Sequence, residues 1–381
     1  MQKKLIALAV AGMAAAPAFA QSSVTVYGIV DLTMERVQAD NSNGPGNVTL
    51  EQDSFSATRQ TANSSYIGFK GTEDLGNGLK ALFQIETQFN PDAAVSSSIG
   101  NRDSYIGLTG GFGTVLMGTL THPIRAFGAK ADYNPGATGI GFTGAIFGEL
   151  NGVRTATDVR ANNIVAYVSP SFSGFSVTGA FIAGENRNQA NEYAATNAGG
   201  SAKEKNQYQL AAQYANGPVF VGLGYHVAKD FTDVPGGTPS KDFKDLRLMG
   251  QFDFGQGTSI TALWDRQGVS NAGDIGRADL SKRTAWMVGA RHAMGPHALH
   301  AAYAKANDQS DVDDSSAKFW TIGYEYSLSK RTMVKAYYAN LKNDDNARYD
   351  FYTAPVGTQS GTSALPDVDV SGFGVGLRHA F

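Results

Sequence analysis

The chain has 381 residues, a formal net charge of −3, 45 glycines, 16 tyrosines, 21 phenylalanines and no cysteine. The mildly acidic balance argues against a nucleic-acid binder, and without thiols stability has to come from packing or sheet closure rather than disulfides. No run of about 18 apolar residues follows residue 20, so spanning helices are excluded and any membrane passage requires a closed barrel of strands.

In chain order, Lys3 and Lys4, an apolar run from Leu5 to Ala16, Pro17 and Ala18-Phe19-Ala20 predict a secretory signal over residues 1–20. Sixteen strands are predicted, at 22–37, 57–71, 78–90, 101–110, 113–120, 159–170, 174–185, 206–216, 218–229, 242–254, 257–268, 281–294, 297–306, 315–328, 331–342 and 368–381. Seven tight turns rich in Gly, Pro, Asn and Ser punctuate them, such as Asp74-Leu-Gly-Asn-Gly78 and Gly110-Gly-Phe-Gly113. Eight longer polar connections alternate with those turns, and both termini fall on the tight-turn side. An even strand number with short turns on one rim and long loops on the other is the pattern of an outer-membrane barrel.

Alternation within strands agrees. In the last one, Ser371, Phe373, Val375, Leu377, His379 and Phe381 share one face, and Gly372, Gly374, Gly376, Arg378 and Ala380 the other. Successive strand side chains point to opposite faces, so an apolar stripe would meet lipid while glycines and an arginine meet a lumen. Aromatics such as Phe69, Phe172, Phe175, Phe252, Phe254 and Tyr326 recur near the tight turns, where an interfacial girdle belongs. Pairing of the last strand with the first would leave no open edge.

Several segments resemble the Gram-negative general porins of the betaproteobacterial type. They are Ser23-Val-Thr-Val-Tyr-Gly-Ile-Val-Asp31, Ile67-Gly-Phe-Lys-Gly-Thr-Glu-Asp-Leu-Gly-Asn-Gly-Leu-Lys-Ala81, Asn101-Arg-Asp-Ser-Tyr-Ile-Gly-Leu108, Tyr167-Val-Ser-Pro-Ser-Phe-Ser-Gly-Phe175 and Gly376-Leu-Arg-His-Ala-Phe381. The resemblance implies an all-β, 16-stranded antiparallel barrel with its third loop folded into the lumen. It also implies a homotrimer of passive water-filled channels in the cell outer membrane, in contact with lipopolysaccharide and outer-membrane lipid. Phe381 would then be a signal to the outer-membrane assembly machinery. Tyr66, Thr119 and Ala166 stand where that family often carries basic residues, which thins the basic ladder of the lumen wall.

The longest connection, Thr121 to Asp158, reads as that third loop, and so long a loop without structure of its own is usually functional. It carries Arg125, Lys130 and Arg154 against Asp132, Glu149 and Asp158. Lumen-wall candidates by parity are Asp31, Glu35, Lys70, Lys80, Glu86, Arg102, Arg160 and Arg378. Opposed charges across a narrow wet passage sort solutes by sign. The expected constriction therefore sets Asp132 and Glu149 against Lys80, Arg102 and Arg378, with Arg125 beside them.

Other patterns carry less. Gly139-Ile-Gly-Phe-Thr-Gly144 spells a dinucleotide glycine motif but lacks the preceding strand that the mechanism needs, so it reads as a flexible part of the third loop. The acidic run from Asp308 to Asp314 lacks calcium-loop spacing; it reads as solvated loop, with divalent bridging to lipopolysaccharide as the alternative. The six histidines form no metal motif, and no cofactor or catalytic centre is implied. The alternatives to a general channel for ions and small hydrophilic solutes are a solute-specific channel, for which Tyr27 and Tyr66 are the only hints, a barrel hydrolase, and a closed structural barrel.

Overall fold

A computed structural model describes residues 23–41, 54–93, 98–184, 205–231, 241–356 and 365–381. The expected signal over 1–20 lies outside the described residues. The barrel wall is built by β1 (Ser23–Asn41), β2 (Ser54–Ala62), β3 (Tyr66–Gly76), β4 (Leu79–Gln88), β5 (Ser104–Gly110), β6 (Gly113–Thr121), β9 (Arg160–Val168), β10 (Phe175–Ile182), β11 (Gln207–Asn216) and β12 (Val219–Ala228). It continues through β13 (Phe243–Gly255), β14 (Thr258–Val269), β15 (Arg283–Met294), β16 (His297–Ala306), β17 (Ala317–Ser327), β18 (Thr332–Asn343) and β19 (Val368–Ala380). Successive wall strands pair antiparallel, with β2 and β3 both pairing with β1, and β6 pairing with β9 across the third loop.

Closure runs along β1 and β19, in register from Ile29 opposite Ala380 to Asn41 opposite Val368. Past the end of β19, Phe381 exchanges both backbone hydrogen bonds with Gly28 at 3.1 Å. Gly28 permits this contact, because a Cβ there would lie 2.5 Å from the Phe381 ring and from the Tyr66 carbonyl oxygen.

One predicted strand is divided. Residues 57–71 were expected to be continuous, yet β2 and β3 are two halves of one barrel strand, pairing with the upper and lower parts of β1. Between them Asn63-Ser-Ser65 breaks the ladder, with Ser64 at a φ of +58°. Local hydrogen bonding explains the break. The Asn63 amide donates to the Asp31 carbonyl at 2.9 Å, and the Asp31 amide donates to Ser65 Oγ at 2.9 Å. Short polar side chains compete in this way with the strand's own ladder. The two halves count as one wall strand, which gives the sixteen expected.

Side-chain parity is as expected. Phe373, Val375 and Leu377 are exposed outward, as are Val24, Val26, Met34, Leu246 and Leu248, whereas Asp31, Glu35 and Thr33 are buried inward. Outward aromatics gather at both rims: Phe252, Phe254, Phe175 and Tyr326 near the tight turns, and Trp264, Trp286 and Trp320 toward the long loops. Lipid replaces a core on that outer face, so apolar exposure there is the stable arrangement.

The third loop departs from expectation in having structure. It contains α1 (Pro123–Ala131), α2 (Gly144–Phe147) and a miniature hairpin of β7 (Glu149–Leu150) and β8 (Val153–Arg154). Proline in the first turn of α1 suits a position whose N–H has no helical partner. The glycine motif 139–144 is enclosed by protein rather than a loose tether, since every residue from Thr138 to Asn151 is buried.

Candidate pore constriction

The third loop lies against inward-facing side chains on both sides of the barrel. On one side α1 packs on β12, where added Cβ atoms at Gly222 and Gly224 would meet Phe127 and Ile124 at 2.7 Å. Thr261 of β14 donates to the Ala131 carbonyl at 2.8 Å, and Gln267 donates to that of Phe147 at 2.9 Å. On the other side Ile140 fills the space left by Gly372 of β19. Thr138 Oγ1 meets Ser64 Oγ at 3.4 Å, so the break between β2 and β3 is a landing point for the loop. At Gly136 a Cβ would come within 2.7 Å of the Arg378 guanidinium.

A buried ion network fastens the far end of the loop. Arg247 of β13 grips Asp158 with both guanidinium nitrogens, at 3.0 and 2.7 Å, and donates to Asp265 of β14 at 2.9 Å. Arg283 of β15 donates to Asp265 at 3.1 Å and to the Glu149 carbonyl at 2.9 Å, and it also bonds the Ile146 carbonyl. These side chains are fully or almost fully removed from solvent. Low dielectric makes such contacts strong and makes an unpaired member costly.

The sequence-predicted residues fall into two groups. Asp31 is completely buried and is shared by Lys335 Nζ at 2.7 Å and Arg378 at 2.9 Å. Glu86 pairs with Arg102 at 3.4 Å and accepts from Tyr27 Oη at 2.8 Å, while the Arg102 guanidinium stacks 4.6 Å from the Tyr66 ring. Arg160 pairs with Asp103 at 3.1 Å, and Arg125 on α1 lies within electrostatic reach of Arg160 and Tyr352. Lys70 sits 4.8 Å over the Tyr27 ring, and Lys80 is exposed two residues from the Asn77-Gly78 turn, low in the barrel.

Asp132 and Glu149 are placed differently. Asp132 accepts from the Asn134 amide at 2.7 Å and from the Thr143 amide and hydroxyl at 2.7 and 2.6 Å, so its carboxylate organises the loop itself. Burial raises its pKa to about 6 despite those bonds. Glu149 is 3.9 Å from Arg154, which stacks 4.1 Å from the Tyr352 ring. Burial is the main cause that lifts Glu149 to about 8, with Arg154 opposing it. Neither carboxylate bonds Lys80, Arg102 or Arg378, because both are turned into the packed body of the loop. The acids that do meet those arginines belong to the wall.

Glu35, Arg59, Asp103, Lys335, the Arg291–Glu325 pair and the Asp158–Arg247–Asp265–Arg283 network with Asp245 are further charges of the interior. Parity could have found Arg247, Asp265 and Arg283, which alternate with exposed apolar residues along β13, β14 and β15. His122 occupies the loop root as expected, its Nδ1 3.1 Å from the Thr157 carbonyl, and burial lowers its pKa to about 4.

A barrel of sixteen wall strands with a charge-lined interior and an inserted third loop defines a channel-forming outer-membrane protein. Residues 7–346 match the family model described as Gram-negative porin, and the chain belongs to that family. It is 33% identical to outer membrane porin protein 32 of Delftia acidovorans and 29% identical to major outer membrane protein P.IB of Neisseria meningitidis, each over the full length of both chains. Among solved structures it is similar to an anion-selective porin from Comamonas acidovorans, with a TM-score of 0.71, 29% identity, and coverage of 95% of this chain and all of that one. Membership assigns a passive channel in the outer membrane rather than an enzyme.

Proposed function

We propose that this porin passes small hydrophilic solutes with a preference for anions, the third loop and wall arginines forming its narrowest part. One observation carries the reading: three interior ion pairs turn the base toward the water and the acid away from it, while in Arg102–Glu86 and Arg160–Asp103 the two partners are about equally exposed. Side-chain exposure is 18% for Arg378 against 0% for Asp31, 23% for Arg59 against 0% for Glu35, and 32% for Arg291 against 8% for Glu325. A solute in the lumen therefore meets guanidinium groups first. Coulomb energy at about 4 Å grows from about 1 kcal/mol in bulk water to about 4 kcal/mol at an effective dielectric constant near 20, so a confined passage sorts by sign.

This outcome differs from the simple count of lost basic residues at Tyr66, Thr119 and Ala166, since exposure and not number sets the field. The similar porin from Comamonas acidovorans is anion-selective, which supports the proposal. We assign Asp31, Lys70, Lys80, Glu86, Arg102, Arg125, Arg160 and Arg378 to the lining, with Asp132 and Glu149 shaping the loop. A homotrimer is proposed on family grounds and on the trimer form described for a Vibrio cholerae barrel of like fold. Contact with lipopolysaccharide and hand-over by the assembly machinery at Phe381 belong to the same proposal.

The test is the reversal potential of purified protein in planar bilayers under a potassium chloride gradient. Chloride preference is expected, and Arg378→Ala with Arg59→Ala should reduce it. A cation preference in the unmodified protein would sink the reading.

A further inference from the structure

One part of the inner wall is apolar where a channel interior is expected to be polar. Leu116 of β6, Ile164, Ala166 and Val168 of β9, and Ala211 of β11 line one side of a cavity of about 500 Å3. The opposite side is a single face of α1, made by Pro123, Ala126, Phe127 and Lys130 at helical spacing. Phe220 closes one end; its ring centroid lies 6.1 Å from that of Phe127, and Lys130 Nζ sits 4.5 Å over it. Gln84 and Gln213 add amide groups to the lining.

Two features set this space apart. Beyond the far end of α1, the apolar inward residues Met249, Leu263, Met287 and Phe319 cluster with Ile140, Ile146 and Phe147 of the third loop, and Phe127, Ala211 and Phe220 form the edge of that same cluster. Under α1 the wall is left with room beside it. Lys130 also has no carboxylate within ion-pair distance among the described residues, whereas Asp103, the acid in the lining, is taken up by Arg160 and Thr121. An uncompensated ammonium at the edge of an apolar recess matches a ligand with one negative end and a hydrocarbon body. The volume falls in the range of small-molecule sites, roughly 300–1,000 Å3.

We propose that this niche binds small aromatic monocarboxylates, with the ring between α1 and the β6–β11 wall and the carboxylate on Lys130. The inference deepens the anion-preferring reading by naming a solute class, and it rests on that reading. Ring burial makes occupancy selective, since enclosing about half of a phenyl group is worth roughly a factor of ten in affinity.

The experiment adds phenylpropionate or propionate to the full protein in planar bilayers and reads block as a fraction of the open current. Phenylpropionate should half-block at about tenfold lower concentration than propionate. Ala126→Phe, which fills the niche from an exposed helical position, should remove most of that advantage, and Lys130→Gln should raise the half-blocking concentration of phenylpropionate severalfold. Equal block by the two acids in the unmodified protein overturns the proposal. So does an advantage that Ala126→Phe retains, or a phenylpropionate block that Lys130→Gln leaves unchanged. If the reversal potential shows no anion preference while the phenylpropionate block persists and is lost in Ala126→Phe, the niche stands and the selectivity reading falls. If anion preference holds without selective block, the niche alone falls.

Discussion

Arg247→Leu tests how the third loop is held. In the native arrangement Arg247 makes two bonds to Asp158 and one to Asp265, and its guanidinium is 3.8 Å from Asp245. Removing it leaves three buried carboxylates facing Arg283 alone, and breaking a buried pair in this way costs about 3–5 kcal/mol. The cost can be relieved in two places. The β13–β14 ladder runs in register from Phe243 opposite Val269 to Asp253 opposite Ser259, and shifting it would break many backbone bonds at once. The loop segment at Asp158 is held by far fewer contacts, so it should yield, letting water reach the carboxylates. The expected result is a larger and noisier single-channel current with a small fall in the unfolding temperature of the barrel. Arg247→Leu combined with Asp158→Leu should recover part of the steadiness, because one orphaned charge is gone. Unchanged current amplitude, noise and unfolding temperature in Arg247→Leu would refute the idea that this network clasps the loop.

The loop should also respond to pH through its buried acids. Glu149 titrates near 8 and Asp132 near 6 when packed, against ordinary values of 4.5 and 3.8. Between about pH 4 and 8 the packed loop thus binds more protons than a released one, so loop packing weakens as pH rises and levels off above about 8. Open-channel noise recorded across that window should rise with pH, and Glu149→Gln should flatten most of the upper half of the change. At the seam, Gly28→Ala sets a Cβ against the Tyr66 carbonyl oxygen at 2.5 Å, so heat-resistant assembled barrel should fall sharply in yield. Deleting Phe381 removes both bonds to Gly28 and an exposed interfacial ring; outer-membrane levels should drop while barrels that still insert keep normal conductance.

The sequence made the wall legible because a strand's two faces alternate with a fixed period, and lipid outside and water inside demand opposite chemistry at every step. Phe373, Val375 and Leu377 against Gly372, Gly374 and Arg378 illustrate it, and the tight turns supply the punctuation. The Asn63-Ser-Ser65 break was hidden because those residues keep strand parity on either side, and only bonds to Asp31, more than thirty positions away, show why the ladder stops there. The α1 helix left a signal, proline in its first turn, that a glycine-rich, charge-balanced context obscured.

Charge pairing was the least legible layer, for a reason that bears on how such channels are read. Parity tells which charges enter the lumen but not which partner each finds, since partners are set by register around the closed sheet: Asp31 meets Lys335 and Arg378 across more than three hundred residues. The expected opposition of loop acids to wall arginines assumed that an acid on an inserted loop faces the passage. An inserted loop has backbone donors to satisfy, however, and water is scarce inside it. Asp132 is drawn inward by the Asn134 and Thr143 amides, and Glu149 is buried as the first residue of the hairpin. The wall carries no such demand, because its backbone is satisfied by neighbouring strands; Arg378, Arg59 and Arg291 reach the water with their acids behind them, whereas Arg247 and Arg283 stay buried against the inserted loop. Which wall bases are exposed is thus set by whether the loop covers them, and not by the formal charge of the chain, which is negative.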